Sequence, residues 1–166
     1  MKVLVVYGSK HGSTREIAER ITDELKKYKL NVDLITSDTG ADITNYQAVV
    51  IGSGVYAGNW VGKAKNFIEA NSTDLVKTKV WLFSVGPIGD PLKPGPDKAV
   101  SPELIKELKK QTSAIEHKLL AGSLNMKNLN FGEKLIVKAF KTPEGDYRNW
   151  DEISDWAKKI AKSLKA

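Results

Sequence analysis

The sequence predicts a doubly wound α/β fold, a five-stranded parallel sheet with helices on both faces in three α/β/α layers. Three observations carry that prediction. Short apolar runs alternate with amphipathic stretches along the whole chain, as strands joined by helical crossovers do. The clearest runs, Val3-Leu4-Val5-Val6-Tyr7 and Ala48-Val49-Val50-Ile51, are apolar at consecutive rather than alternate positions, which suits strands covered on both faces. Three of the strands run into loops rich in glycine, hydroxyls or proline, Gly8 to Thr14, Ser53 to Trp60 and Gly86 to Pro96. They fall at carboxyl strand ends, where such folds gather ligands.

Taken in order, the first strand is followed by Ile17, Ala18, Ile21 and Leu25 at helical spacing, predicting a helix from Ser13 to Tyr28. Asn31 to Ile35 is the second strand, and a polar stretch, Thr36 to Asn45, leads to a central third strand at Ala48 to Ile51. Trp60 to Ala70 is the second helix. Val80-Trp81-Leu82-Phe83-Ser84-Val85 is a fourth buried strand, and Pro102 to Ala114 a third helix with Ser101 as cap and Pro102 at its first position. Leu119 to Leu124 is the fifth strand. Trp150 to Leu164 closes the chain as a helix with Ile153, Trp156, Ala157, Ile160 and Leu164 on one face, Trp150 and Trp156 being core residues.

At 166 residues and 41% apolar, the chain is expected to be one domain with a proper core. It has no cysteine, which removes disulfides, thiolate nucleophiles and sulfur-ligated metals. Only two histidines are present, so metal or acid/base chemistry is poorly provisioned; no metal is expected, and His117 is assigned no role. Met1-Lys2 enters a strand with no signal-like apolar region, and no apolar run approaches the ~20 residues of a membrane helix; a cytoplasmic location is expected. The charge of +6 is spread along the chain. Its plain meaning is a solvated lysine-rich surface, and its sharper one attraction to acidic partners, anionic lipid or a carboxylate-bearing substrate. No Arg-rich helix or aromatic and basic stripe points to nucleic acid.

The first loop, Gly8-Ser9-Lys10-His11-Gly12-Ser13-Thr14, combines two glycines, three hydroxyls and the opening N–H groups of a helix, which suits a phosphate. Its one lysine, Lys10, leaves neutral donors and a helix dipole of about 0.3 to 2 kcal/mol to hold the anion. That fits a monophosphate better than a metal-bound triphosphate. A Walker loop is excluded, because only three residues separate Gly8 from Gly12 and no lysine precedes Ser13. Gly8-Ser9 and Gly52-Ser53 stand where a receiver domain would carry carboxylates. The plain alternative is an ordinary strand-to-helix turn, with His11 folded onto the surface instead of touching the phosphate.

The second loop, Ser53-Gly54-Val55-Tyr56-Ala57-Gly58-Asn59-Trp60, offers glycines for close approach of a flat ring, and Tyr56 or Trp60 to stack on it. Gly52-x-Gly54-x-x-Ala57 also matches a dinucleotide fingerprint, with Glu69 or Asp74 for a ribose, but it follows a third strand and not a first. The third loop, Ser84-Val85-Gly86-Pro87-Ile88-Gly89-Asp90 and on to Pro96, is a stiff Gly-Pro backbone able to present fixed N–H and C=O groups. Either loop also reads as a plain connection. A phosphate loop beside two ring-sized loops, without a nucleophile, suggests a nucleotide-like cofactor that does the chemistry itself.

On these residues the chain resembles the flavodoxin family over essentially its whole length. Ser9 to Thr14 resembles the FMN-phosphate loop, Ser53 to Trp60 the first isoalloxazine loop, and Ser84 to Pro91 the second. Within the family it is similar to the group containing menaquinone-linked protoporphyrinogen IX dehydrogenases, through Thr14-Arg15-Glu16-Ile17-Ala18, the Ile51-Gly52 loop ending at Gly58 and an aromatic, and Gly145-Asp146-Tyr147-Arg148-Asn149-Trp150. The resemblance implies noncovalent FMN and flavin-centred electron transfer. The chain is then a carrier serving a redox partner protein, or an oxidoreductase acting on a porphyrinogen or quinone; a flavin-free interaction module is the third reading. Typical flavodoxins ring their flavin with carboxylates, whereas residues 53 to 60 carry no charge and the third loop only Asp90 near its start. With each nearby charge worth about 1 kcal/mol or more, a less negative potential for the fully reduced flavin is expected. Phe131 to Lys141 is an insert, with Phe131, Leu135 and Ala139 on one helical face, Ile136 and Phe140 adjoining, and Lys134, Lys138 and Lys141 on another. It reads as a basic interfacial helix on anionic lipid near a quinone, making a peripheral membrane contact, or as a surface helix covering its own domain.

Overall fold

The computed structural model describes residues 1–86, 100–139 and 143–166. Pro87, Ile88, Gly89 and Asp90 of the third loop, and Phe140 and Lys141 of the insert, lie outside the described residues.

Strands β1 (Lys2–Gly8), β2 (Asn31–Thr36), β3 (Ala48–Tyr56), β5 (Lys79–Gly86) and β6 (Glu116–Ala121) form the parallel sheet in the order β2-β1-β3-β5-β6, and short β4 (Asn59–Trp60) pairs antiparallel with β3. The order reverses beside β1, which lies between β2 and β3, so the crevice between the β1 and β3 ends is the switch point where such folds bind ligands.

The alternation of side chains along each strand explains both cores. Val3 and Val5 of β1, Ala48 and Val50 of β3, and Trp81 and Phe83 of β5 pack under α1 (Ser13–Lys27) and α5 (Trp150–Lys165). Their neighbours Leu4, Val6, Val49, Ile51, Val80 and Leu82 face the opposite core, under α2 (Gly62–Leu75) and α3 (Pro102–Thr112). Burying each such side chain contributes about 1.5 to 3 kcal/mol, and this double demand is why the strands are continuously apolar. Trp150 packs from the margin and Trp156 in the centre of the first core, Trp156 edge-on to Phe83 at 6.0 Å.

Several boundaries differ from expectation. Helix α2 begins at Gly62, because Asn59 and Trp60 complete a hairpin, and runs on to Leu75, helped by the Asn71 amide donating to the Phe67 carbonyl at 2.9 Å. β6 begins at Glu116 and stops at Ala121; its polar start reflects its place at the sheet edge. Ser123–Leu124 is a separate strand, β7, paired antiparallel with β8 (Gly145–Asp146). That ribbon is the base of the insert, and between its strands lies α4 (Phe131–Ala139).

Candidate functional site

At the end of β1 the chain turns into α1 through Ser9 to Thr14. Gly12 caps the helix at φ 93°, with no atom near the place a Cβ would occupy; a side chain there would fit in space but strain the backbone. Gly8 has a different reason to be glycine. A Cβ on it would sit 2.4 Å from the Val61 side chain and 3.0 Å from Ala64, so it lets α2 close on the sheet.

The hydrogen bonds of this loop face one way. The Ser9 hydroxyl oxygen accepts from the Gly12 N–H at 3.0 Å, and that of Ser13 from the Ser123 N–H at 3.1 Å. Each oxygen already accepts one bond, and among the described residues neither O–H has an acceptor. No capping side chain serves the α1 N-terminus, and the N–H groups of Ser13, Thr14 and Arg15 have no partner among the described residues. Two polarised hydroxyls and a helix N-terminus left open make a donor-only cradle, the electrostatic complement of a phosphate. The residues present therefore fit the phosphate end of a mononucleotide.

Tyr56 lies over this cradle. Its hydroxyl accepts from the Lys10 N–H at 3.3 Å, the Lys10 ammonium sits 4.5 Å from the ring centroid, and His11 meets the ring edge-on at 5.9 Å. Burial raises the phenol above its usual pKa, so it stays neutral at pH 7. A Cβ on Gly54 would come within 3.1 Å of both Tyr56 and the Thr14 hydroxyl; that glycine lets the first two loops touch. His11 also bonds Glu133 of α4, Nε2 to Oε1 at 3.2 Å, while the Asn130 N–H and His11 hold the Glu133 carboxyl below its ordinary pKa.

The second loop is a tight hairpin rather than an open loop. Ala57 and Gly58, at φ 49° and 77°, form its two-residue turn between Tyr56 and Asn59, the combination of positive φ values that matches strand twist. Gly52 is packed against the Phe83 ring, 1.9 Å from where a Cβ would lie. Its glycine serves the core, not a ligand, and the dinucleotide fingerprint has no basis in the fold. Val55 is partly buried in the second core, whereas the end of β5, Val85 and Gly86, is buried.

Below the hairpin lie two groups of polar bonds. The Ser53 hydroxyl donates to the Gly54 carbonyl at 2.8 Å and accepts from the Val61 N–H at 3.0 Å. The Trp60 indole N–H donates to the Ser84 hydroxyl at 2.7 Å, and Ser84 Oγ lies 2.8 Å from His117 Nε2. Since an indole only donates, Ser84 accepts from Trp60, while the direction of its bond to His117 Nε2 follows the tautomer of a neutral His117. Burial, and secondarily Lys109, push His117 down to about 4, in keeping with that neutral form. Trp60 is 3% exposed and Ser53 and Ser84 are fully buried, so these three side chains pack beneath the hairpin. Burial leaves Trp60 no face to stack on a ligand, and both hydroxyls are engaged within the protein. His117, given no role by the sequence, anchors the second group; its only signal was a histidine one strand from Ser84.

The Gly145 to Trp150 stretch is likewise structural. Arg148 grips Asp146 with two bonds of 2.8 and 2.6 Å, pairs with Glu16 of α1, and lies 4.6 Å from the Trp150 ring centroid. The insert is thereby tied to the helix that carries the phosphate cradle.

Comparison with known proteins agrees with this fold. A family model described as a flavodoxin domain matches residues 4–151. Protoporphyrinogen IX dehydrogenase (quinone) of Escherichia coli strain K12 is 22% identical over 172 residues, covering 97% of this chain and 95% of that protein. A flavodoxin from the domain Archaea superposes with TM-score 0.64 at 15% identity over all of both chains. Oxidised flavodoxin 1 from Bacillus cereus gives 0.65 at 15% identity over 98% of each. With the sheet order, the cradle at the switch point and a family match over most of its length, the chain belongs to the flavodoxin family.

Proposed function

We propose that this chain binds FMN noncovalently, phosphate in the Ser9 to Thr14 cradle and ring between the Tyr56 and Ser84 to Asp90 loops, and that it transfers electrons through that flavin. The observation carrying the proposal is the donor-only character of the cradle, with the Ser9 and Ser13 hydroxyl oxygens already accepting and the first N–H groups of α1 open. FMN supplies the redox chemistry when bound. The protein's own groups bind and orient: Ser9, Ser13 and Thr14 with Gly12 hold the phosphate, Lys10 and His11 flank it, Gly54 lets Tyr56 close on Thr14 of the cradle, and the buried Ser53, Trp60, Ser84 and His117 fix the hairpin from beneath. Of the two candidate aromatics, the reading retains Tyr56 as the stacking residue.

Purified protein is expected to be yellow and to release FMN on acid treatment. Colourless protein that does not quench the fluorescence of added FMN would overturn the reading.

A quinone-linked oxidoreductase acting on a porphyrinogen is the narrower reading. It is favoured by the end-to-end similarity to the E. coli dehydrogenase. Rapid-mixing oxidation of the reduced protein by a menaquinone analogue, compared with that by an acceptor protein, separates enzyme from carrier; protoporphyrinogen must reduce the flavin if this narrower reading holds.

A further inference from the structure

The insert helix α4 is turned inside out relative to the other helices. Phe131 and Leu135, one turn apart, are 78% and 54% exposed, and Lys138 and Ala139 are exposed beside them. The inward side carries Glu133, bound to His11 of the cradle loop, and the partly buried Val137. A helix covering its own domain would present the opposite face, so that expectation fails for these two side chains.

The geometry points to the outward face of α4 as a docking patch for an anionic lipid surface. Charge decides among the candidate occupants. From Ser123 to Ala139 the chain carries Lys127, Lys134 and Lys138 against a single acid, Glu133, and that acid is turned inward onto His11. Lys127 and Lys138 are exposed and Lys134 partly so. Two protruding apolar side chains rimmed by cations match the interfacial layer of a membrane, where rings and branched chains enter the acyl boundary and ammonium groups stay among the headgroups. A second copy of the chain, at +6, would bring like charges together on the same patch. None of the helices among the described residues is long and apolar enough to cross a membrane, so the contact is peripheral. Through Glu133 and His11 it lies next to the cradle, which brings the cradle up to the lipid surface. The inference stands on α4 alone and holds whether or not FMN binds.

The test is co-sedimentation of the full chain with vesicles of phosphatidylcholine alone or mixed equally with phosphatidylglycerol. Binding to the anionic vesicles is expected to exceed that to neutral ones at least tenfold and to fall in high salt. Phe131→Ser with Leu135→Ser, and separately Lys134→Glu with Lys138→Glu, should each lower it about tenfold while circular dichroism and thermal midpoint stay unchanged; Ile115→Ser, another exposed apolar residue, should not. Because the chain lacks cysteine, Phe131→Cys can be labelled with an environment-sensitive dye, whose emission should shift to the blue only with anionic vesicles. Absence of binding, binding that the α4 variants leave intact, or a dye that stays in water would each overturn the proposal. Vesicle-independent capture by an acidic polypeptide alone would assign the patch to a protein partner and count against it as well.

Discussion

The two loops that meet at the β1 and β3 ends are both written in glycine and hydroxyl residues, yet they spend their hydrogen bonds in opposite ways. In the first, the Ser9 and Ser13 oxygens accept from backbone N–H groups, which leaves their protons free to donate. In the second, Ser53 both donates to Gly54 and accepts from Val61, and Trp60 donates to Ser84 of β5, which also meets His117. The cradle hydroxyls keep protons to donate, whereas the hydroxyls beneath the hairpin are engaged within the protein. Residue type alone does not separate a binding loop from a braced one; what separates them is which lone pairs and protons the backbone has already taken.

The largest expected effect comes from reversing the sign of the first loop. Gly12→Asp places a carboxylate against the phosphate position, and at about 5 Å and an effective dielectric near 20 the repulsion is roughly 3 kcal/mol per unit charge, or over a hundredfold in FMN affinity. Gly12→Ala meets no atom and keeps only the positive-φ strain of about 1 to 2 kcal/mol, so it should cost stability more than affinity. Fluorescence titration of both apoproteins with FMN makes the comparison. Equal affinity for Gly12→Asp and wild type would remove the cofactor from this loop.

The brace beneath the second loop should answer through stability instead of affinity. Ser84→Ala strands the buried indole N–H of Trp60 and removes the hydroxyl partner of His117, which costs about 1 to 3 kcal/mol of stability. In urea the midpoint should fall, while the FMN affinity of the folded protein changes less than tenfold. A variant of unchanged stability that loses FMN outright would show that Ser84 faces the cofactor after all.

How far the sequence revealed this arrangement depended on what each residue's pattern encodes. Consecutive apolar residues in Val3 to Val6 and Ala48 to Ile51 can only be satisfied between two cores, so the sheet and its layers were legible. The paired turn at Ala57 and Gly58 was not, because Ala57 is an unusual occupant of a positive-φ site and hides the hairpin signal that Asn-Gly would give. Gly52 looked like a ligand glycine because nothing local reveals Phe83, which reaches it from the neighbouring strand. His117 was silent for the same reason: Ser84 lies 33 residues away on the neighbouring strand. The turn at Gly12 was readable because Ser9 engages the Gly12 N–H three residues on, whereas the bond from Ser123 to Ser13 spans 110 residues and left no local trace.

His117 sharpens the contrast through pH. Its pKa is lowered from 6.5 to about 4 in the folded chain, so between those values the unfolded chain binds more protons and folding is favoured as pH rises. The stabilisation is complete above 6.5 and drains away as pH falls toward 4. A full shift of this size would correspond to about 3 kcal/mol, which solvent at the partly exposed ring reduces to ~1 to 2 kcal/mol. Urea midpoints measured from pH 7 to 4 should therefore fall more steeply for wild type than for His117→Gln. Parallel curves would mean that the histidine is already solvated and the brace is weaker than its geometry implies.

The smallest effect tests the one residue that belongs to both loops. Tyr56 grows from the hairpin but gives its hydroxyl to the Lys10 N–H of the cradle, a donor that a phosphate also seeks. Tyr56→Phe keeps the ring for stacking and removes only that oxygen, freeing a hydrogen bond worth about 0.5 to 1.5 kcal/mol. FMN binding should tighten by about two- to tenfold, with the flavin spectrum unchanged because the ring beside it is still aromatic. Weaker binding would mean that the phenol oxygen touches the cofactor directly, and the division between a braced hairpin and an open cradle would then have to be redrawn at this side chain.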